Sequence, residues 1–325
     1  MRHLSICSVL ALATTVAAFG QINLLTETFD GAGSSATFDA PIVADGTVTF
    51  GFDYSAITLT APGTPVDATA IPEAPNTPGG AAATSGVAMG VNLAGGTANF
   101  ANIFTALSVS GDYEAQVDVF YYHDNNSGST EDALFGINHS GAPIHFGHVT
   151  NTTLNVGPTD GYFFKTFGDI DVASEDHFLL EGQTDPFVDG ALSVSLTSPD
   201  QPGTAWGDGL FPNEAARQAL DAPNTTIFET AFTGFAAGAT TPGLAIRWVW
   251  QEFRMQYSGG VVSFYVNDSL VCRYTDPDGT WTSGKVLLGH EDSFGGSNAA
   301  NLMIFDNLII NQFVVTSVGD WNMYE

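Results

Sequence analysis

The chain has 325 residues, 44% of them hydrophobic and 12% aromatic, so it can bury a substantial core and is not a disordered acidic protein. Seven Lys and Arg residues stand against 35 Asp and Glu residues, which gives a formal net charge of −28. A field this negative argues against nucleic acid and anionic membrane surfaces as partners, because both carry the same sign of charge.

Residues 1–20 have the pattern of a secretory signal peptide. A short polar start precedes the apolar run Leu4–Ala18, and Ala18-Phe19-Gly20 forms a small-x-small cleavage site. The run is short for a bilayer span, although a transmembrane anchor is the alternative. We therefore expect a secreted or cell-surface protein whose mature chain starts at Gln21 and does not insert into a membrane. Cys272 is then its single cysteine, which excludes an internal disulfide.

Beyond residue 20 the chain shows short alternating runs broken by Gly, Pro, Asn and Asp, which is the pattern of β-strands. One short helix is predicted at Asn213–Leu220. Twelve or more short strands with almost no helix predict an all-β fold of two packed antiparallel sheets, a β-sandwich. In chain order the predicted strands are Thr47–Tyr54, Val87–Leu93, Phe104–Ser110, Tyr113–Tyr122, Ala133–Ile137, Ile144–His148, Tyr162–Phe167, Ala245–Tyr257, Val261–Val266, Leu270–Tyr274, Lys285–His290 and Leu302–Phe313.

These strands predict one domain over residues 21–313, followed by a tail at 314–325. Two long excursions interrupt it, Ala61–Gly86 and Ser193–Ala231. We interpret the first as a loop within the domain, because strands on both sides of it need partners. Long loops on a rigid sandwich are common places for binding sites. The sequence does not indicate an oligomeric state.

Seven short motifs, taken in order, resemble secreted proteins with a concanavalin A-like (laminin G-like) jelly roll, of the kind found in planctomycete-like bacteria. The resemblance spans most of residues 22–313 and implies a lectin- or glucanase-type sandwich. It does not imply one activity, because this fold supports lectins, glycosidases and structural modules. The motifs are Thr26–Asp30, Phe50–Ser55, Ile71–Asn76, Gly111–Tyr113, Trp248–Tyr257, Phe264–Asn267 and Phe305–Leu308.

The resemblance also implies a calcium site that joins the two ends of the domain. In many jelly rolls of this type an early acidic strand lies beside the final strand, and Ca²⁺ ties them together. Here Glu27 and Asp30 are the early acids, and Asp306 and Asn307 are the late ligands. Calcium takes six to eight hard oxygens, and short acidic segments near turns supply them. The alternative is that Asp306 and Asn307 are ordinary residues at a strand end.

A candidate carbohydrate site rests on aromatic rings next to carboxylates. Trp206 and Asp208 lie in a Gly-rich part of the second excursion, and Tyr162 begins an aromatic run near Asp160. Sugars stack their apolar faces on aromatic rings, while carboxylates and amides bind the hydroxyl groups. The alternative is that Trp206 only packs its own loop.

The sequence therefore favours a non-enzymatic module that binds a glycan or an extracellular matrix component. A structural envelope or matrix protein and a jelly-roll glycoside hydrolase are the alternatives. The nearest match to a retaining catalytic pair, Asp169–Glu175, starts with the wrong acid and misplaces the last one. Glu252 is the only acid in its predicted strand, and no catalytic residues are predicted.

Overall fold

A computed structural model of the chain describes residues 18–31, 33–57, 70–78, 83–94, 99–122, 131–145, 160–167, 177–181, 196–197, 250–275, 279, 281–292 and 301–316. Within these ranges there are sixteen strands and two short 3-10 helices, Ser34–Thr37 and Tyr54–Ala56. The described part of the chain contains no apolar helix of the length that a bilayer crossing requires. The predicted all-β class is confirmed.

The strands are short and follow one another along almost the whole described chain. In order they are β1 Ala18–Glu27, β2 Ile42–Ala44, β3 Gly46–Asp53, β4 Ser85–Val91, β5 Asn99–Phe104, β6 Val109–Ser110, β7 Tyr113–Tyr122, β8 Glu131–His139, β9 Tyr162–Phe167, β10 His177–Glu181, β11 Leu196–Thr197, β12 Gln251–Ser258, β13 Val261–Val266, β14 Ser269–Thr275, β15 Ser283–Asp292 and β16 Leu302–Thr316.

Two antiparallel sheets form a sandwich with a jelly-roll topology, as predicted. The larger sheet has nine strands in the order β11-β14-β13-β12-β7-β16-β4-β3, with β1 also paired to β16. The smaller sheet has seven strands in the order β10-β9-β8-β15-β5-β2, with β6 paired to β15. Consecutive strands such as β12 and β13 pair, but β7 pairs with β12 and β16, and β15 pairs with β5 and β8, so the register also brings together side chains from distant parts of the chain.

The first and last strands lie side by side. Strand β1 pairs with β16 from Ala18 opposite Thr316 to Glu27 opposite Leu308. The expectation that the early acids and the final strand are neighbours is therefore confirmed. Strand β1 also begins at Ala18, so the last three residues of the predicted signal peptide lie in it.

Alternation along the strands directs one set of side chains between the sheets. Strand β12 shows the pattern most clearly, with Phe253, Met255 and Tyr257 buried and the intervening side chains half-buried. Between the two sheets, the Phe164 ring stacks on Phe264 with their centroids 3.7 Å apart. Burying aromatic rings of this size is the main source of stability for a domain without a disulfide.

A second apolar cluster lies on the outer face of the larger sheet. Residues 70–78 lie over this face, where Trp250 Nε1 donates to the Pro72 carbonyl at 2.8 Å and the Ala74 N–H donates to the Tyr54 hydroxyl at 3.3 Å. This segment belongs to the first predicted excursion, which is thus packed against the sheet here. The cluster comprises Tyr54, Ile71, Ala74, Ala88, Phe120, Trp250 and Ile304.

Strand prediction was wrong in two kinds of place. The predicted strand Phe104–Ser110 overlaps β5 only at Phe104 and β6 at Val109–Ser110, and residues 106–108 between them are exposed. Strands β1, β2, β5, β10 and β11 were therefore missed by the sequence pattern, although the resemblance implied an early strand beside the final one. The predicted helix Asn213–Leu220 and the start of the predicted strand Ala245–Tyr257 lie outside the described residues, as does most of the predicted strand Ile144–His148.

Candidate functional site on the outer face of the larger sheet

The Glu27 carboxylate is fixed by the turn that follows β1. Its Oε1 accepts hydrogen bonds from the Phe29 N–H and the Ser34 hydroxyl, both at 2.8 Å. Its Oε2 accepts one from the Thr37 hydroxyl at 2.6 Å. Three donors occupy most of the lone-pair positions of a carboxylate, so Glu27 acts as a cap for this turn.

Asp306 is a buried carboxylate next to other acids. Its Oδ2 accepts from the Tyr54 hydroxyl at 2.9 Å, and its Oδ1 accepts from the Asn307 N–H at 2.7 Å. Burial raises the pKa of Asp306 to about 8, and the charges of Asp30 and Asp118 contribute in the same direction. Asp30 is exposed, and its charge disfavours the ionised form of Asp306.

Asn307 presents a buried oxygen without a hydrogen-bond donor. It has φ of +54° at a bulge in β16, and its side-chain nitrogen donates to Asp118 Oδ2 at 2.9 Å. Its Oδ1 is buried and has no hydrogen-bond partner among the described residues. An unpaired buried carbonyl oxygen is unfavourable by about 1–3 kcal/mol, so its presence calls for an explanation.

Three acids form a row across three adjacent strands. Glu252 on β12 is directly opposite Asp118 on β7, and Asp118 is directly opposite Asp306 on β16. Opposite side chains lie about 4.5–5.5 Å apart at Cβ, a spacing at which like charges repel. Burial raises the pKa of Asp118. Burial also raises the pKa of Glu252, and the charge of Asp268 contributes in the same direction.

Asn76 lies between two acids of this row. Its side-chain nitrogen donates to Asp118 Oδ1 at 2.6 Å and to Glu252 Oε2 at 3.1 Å, and its backbone N–H donates to Asp118 Oδ2 at 3.0 Å. A retaining glycosidase needs two carboxylates on either side of a scissile bond. Here the Asn76 side-chain amide lies between Asp118 and Glu252 and is hydrogen-bonded to both. These two carboxylates therefore do not face each other across an open catalytic groove.

Beside the acid row, polar side chains cross five adjacent strands in register. Asn23 is opposite Asn311, Asn311 is opposite Glu114, and Glu114 is opposite Gln256, which is opposite Ser263 on β13. The Asn23 amide donates to Asn311 Oδ1 at 3.1 Å. We call this line of five residues the amide row.

An arginine–tyrosine pair lies next to the amide row. Arg254 and Tyr265 are cross-strand neighbours, and the guanidinium carbon lies 4.2 Å from the centroid of the Tyr265 ring. The guanidinium is also 3.0 Å from Asp268 Oδ1 and 3.6 Å from Glu114 Oε2. Both side chains are half-buried, so a planar cation and an aromatic ring are held in place at the surface.

Sequence reasoning missed the acid row and the amide row. Alternating polar positions on two strands contain the signal, namely Glu114, Gln116 and Asp118 on β7 and Glu252, Arg254 and Gln256 on β12. Such alternation indicates one polar face. It does not indicate that the two strands are neighbours, which depends on the fold.

Of the predicted sugar-binding residues, Tyr162 alone lies in the described part of the chain. Tyr162 is fully buried and stacks on Tyr257 with the centroids 6.2 Å apart, so its ring is part of the core and offers no face to a sugar. Trp206 and Asp208 lie outside the described residues. Among the described side chains, no group of three or more His, Cys, Asp or Glu is arranged to hold a metal ion.

No protein-family profile and no curated protein matches the chain. A Bacillus subtilis protein with a galectin-like fold is 10% identical, covering 92% of this chain and 100% of its own, with a TM-score of 0.46. The cellulose-induced protein Cip1 is 11% identical, covering 91% and 99%, with a TM-score of 0.42.

The potassium-bound carbohydrate recognition domain of Emp46p is 9% identical, covering 66% of this chain and 79% of its own, with a TM-score of 0.33. Lectin-like and carbohydrate-binding proteins are thus among the similar structures. Identities near 10% and TM-scores below 0.5 are too low to transfer a ligand or an activity from any of them.

Proposed function

We propose that this chain is a secreted, non-enzymatic carbohydrate-binding module that binds a glycan on the outer face of its larger sheet. The observation that supports this proposal is the amide row together with the adjacent Arg254–Tyr265 pair. Amides and carboxylates bind vicinal hydroxyl groups, and an aromatic edge offers apolar contact to a sugar ring. Ser263 is buried, whereas the four other members are exposed or half-buried and span about 14 Å at the usual strand spacing, which suits an extended oligosaccharide.

The glycan proposal is tested on a polysaccharide array with the variant Gln256→Ala/Tyr265→Ala. We expect at least a tenfold loss of retention, because one net hydrogen bond contributes about 0.5–1.5 kcal/mol and the aromatic contact adds to it. Thr49→Ala, an exposed change on β3 of the same sheet, is the matched control and should bind like the wild type.

A Trp206→Ala variant on the same array tests the predicted loop platform separately. Loss of retention in this variant but not in the sheet variant would place binding in the second excursion and remove the amide row from the proposal. Equal retention in all four proteins would contradict both sites.

We further propose that calcium ties the two ends of the domain. We assign Asp30, Asp306 and Asn307 to it, because a buried carboxylate, an exposed acid whose charge acts on it and an amide oxygen without a donor are hard ligands of the kind that Ca²⁺ takes. Glu27 fits less well, since its oxygens already accept three hydrogen bonds. When bound, the ion would offset the repulsion between the acids and join β16 to the turn after β1.

Removing calcium is expected to lower the melting temperature by roughly 5 °C, because a ligand at about 100 times its Kd stabilises by about 2.7 kcal/mol. The measurement is a thermal melt of the EDTA-treated protein, before and after calcium is restored. Asp30→Asn should respond less than the wild type, because only the site at the domain ends is removed, whereas Glu27→Gln should respond like the wild type. A full response in Asp30→Asn would remove that residue from the site.

A further inference from the structure

A second group of buried polar side chains lies between the sheets, at one end of the sandwich. At this end β4, β7 and β15 finish, and the strands that follow them, β5, β8 and β16, begin. The group is separate from the acid row, which faces outward. Each member is at most 3% exposed, and the members are Asn92, Asn99, Tyr121, Glu131, Asp292 and Asn301.

Two carboxylates from neighbouring strands lie at its centre. Glu131 on β8 is directly opposite Asp292 on β15, and Asp292 is directly opposite Asn99 on β5. The facing sheet supplies two donors to Glu131, with the Tyr121 hydroxyl at 3.2 Å from Oε2 and the Asn301 amide at 2.9 Å from Oε1. Burial raises the pKa of Glu131 to about 7, and the charge of Asp292 contributes.

Asn92 provides an independent sign of a ligand. Its side-chain nitrogen donates to Asp292 Oδ2, which places the amide within the group. Asn92 is only 2% exposed, and its buried Oδ1 has no hydrogen-bond partner among the described residues. Asp292 is in turn the cross-strand neighbour of Glu131, and a buried carbonyl oxygen left without a donor next to such acids is a typical ligand for a hard cation.

We propose that Glu131, Asp292 and the Asn92 side-chain oxygen bind a divalent cation of the calcium type at this end of the sandwich. Two carboxylates balance a charge of +2, and an amide oxygen completes a hard donor set that does not depend on a third acid. The ion would join the smaller sheet, through β8 and β15, to the end of β4 in the larger sheet. This site does not depend on the glycan proposal or on the calcium tie at Asp30.

The proposal is tested by counting calcium ions bound per chain, using equilibrium dialysis of the full-length protein at about 10 mM calcium, since extracellular sites bind with Kd values of about 0.1–1 mM. Glu131→Gln and Asp292→Asn should each bind one ion fewer than the wild type, and Asp30→Asn serves as the control for the other site. If only the site between the sheets exists, the wild type and Asp30→Asn bind one ion and Glu131→Gln binds none. A Glu131→Gln count equal to that of the wild type would overturn the proposal.

The Asn92→Asp variant separates a cation site from a polar network even if the other variants fold poorly. Asp has the same shape and also tolerates the left-handed backbone at this position, where φ is +61°. With a cation present, the third carboxylate should strengthen calcium binding at least tenfold and make the melting temperature rise more on calcium addition than in the wild type. Destabilisation that calcium does not reverse would show a polar network only, and would reject the site.

Discussion

Replacing Lys165 with Met is expected to destabilise the domain by about 3–5 kcal/mol, because it leaves two buried carboxylates without their cation. The Lys165 ammonium lies 2.6 Å from Glu291 Oε1 and 3.0 Å from Asp132 Oδ2. All three side chains are at most 3% exposed. Burial acts to lower the pKa of Lys165, but the charges of Asp132 and Glu291 outweigh it and the pKa is raised. The measurement is the denaturant midpoint at an unchanged m-value.

Lys285→Met is the matched control for this prediction. Lys285 pairs with Asp39, but the two side chains are 20% and 42% exposed, so solvent screens the pair. Its loss should change the free energy of unfolding by about 0–1 kcal/mol. Neutralising the acids as well, in Lys165→Met/Asp132→Asn/Glu291→Gln, should recover part of the loss, because the repulsion between the two carboxylates is removed. A loss below about 1 kcal/mol in Lys165→Met would contradict a buried ion triad.

The local pattern of the sequence was enough to predict the strands that have one buried and one exposed face, or a clear aromatic run. Strands Tyr162–Phe167 and Val261–Val266 were predicted with the bounds that the structure shows. Strands β2 and β11 have three and two residues, which is too short for alternation to be recognised. Strand β1 was obscured because its first three residues belong to the predicted signal peptide.

The faces of the smaller sheet could not be predicted from the sequence. Tyr162, Phe163 and Phe164 are consecutive, so alternation directs them to opposite faces, and yet all three are fully buried. An aromatic run next to an acid is therefore ambiguous between a binding platform and a sheet that is covered on both sides. The structure resolves this ambiguity for Tyr162 in favour of the core.

The acid row illustrates what only the fold supplies. Glu252 was the only acid in its predicted strand, and nothing near it in sequence suggested a partner. Its neighbours Asp118 and Asp306 come from strands far away in the chain, and the strand order and register alone place the three side chains together. By contrast, the resemblance to jelly rolls did predict that β1 and β16 are adjacent, because that feature belongs to the topology and not to the register.

Replacing Gly161 with Ala is expected to destabilise the domain by roughly 2–5 kcal/mol, because two separate penalties combine. Gly161 has φ of +72°, a conformation that L-residues adopt at a penalty of about 1–2 kcal/mol. A Cβ atom here would also lie 2.5 Å from the Ile137 carbonyl oxygen and 2.8 Å from Asn138 C and O. Backbone atoms cannot rotate away as a side chain can, so β8 and the start of β9 would be forced apart.

The Gly260→Ala variant separates the two penalties. Gly260 has φ of +80° in the turn between β12 and β13, and a Cβ atom there would meet nothing within 4 Å. This variant should lose only about 1–2 kcal/mol, the backbone penalty by itself. The difference between the two variants, measured by chemical denaturation, then reports the close approach of β8 and β9 at Gly161. If both variants lose the same free energy, the two strands are not packed as tightly as the structure shows at this point.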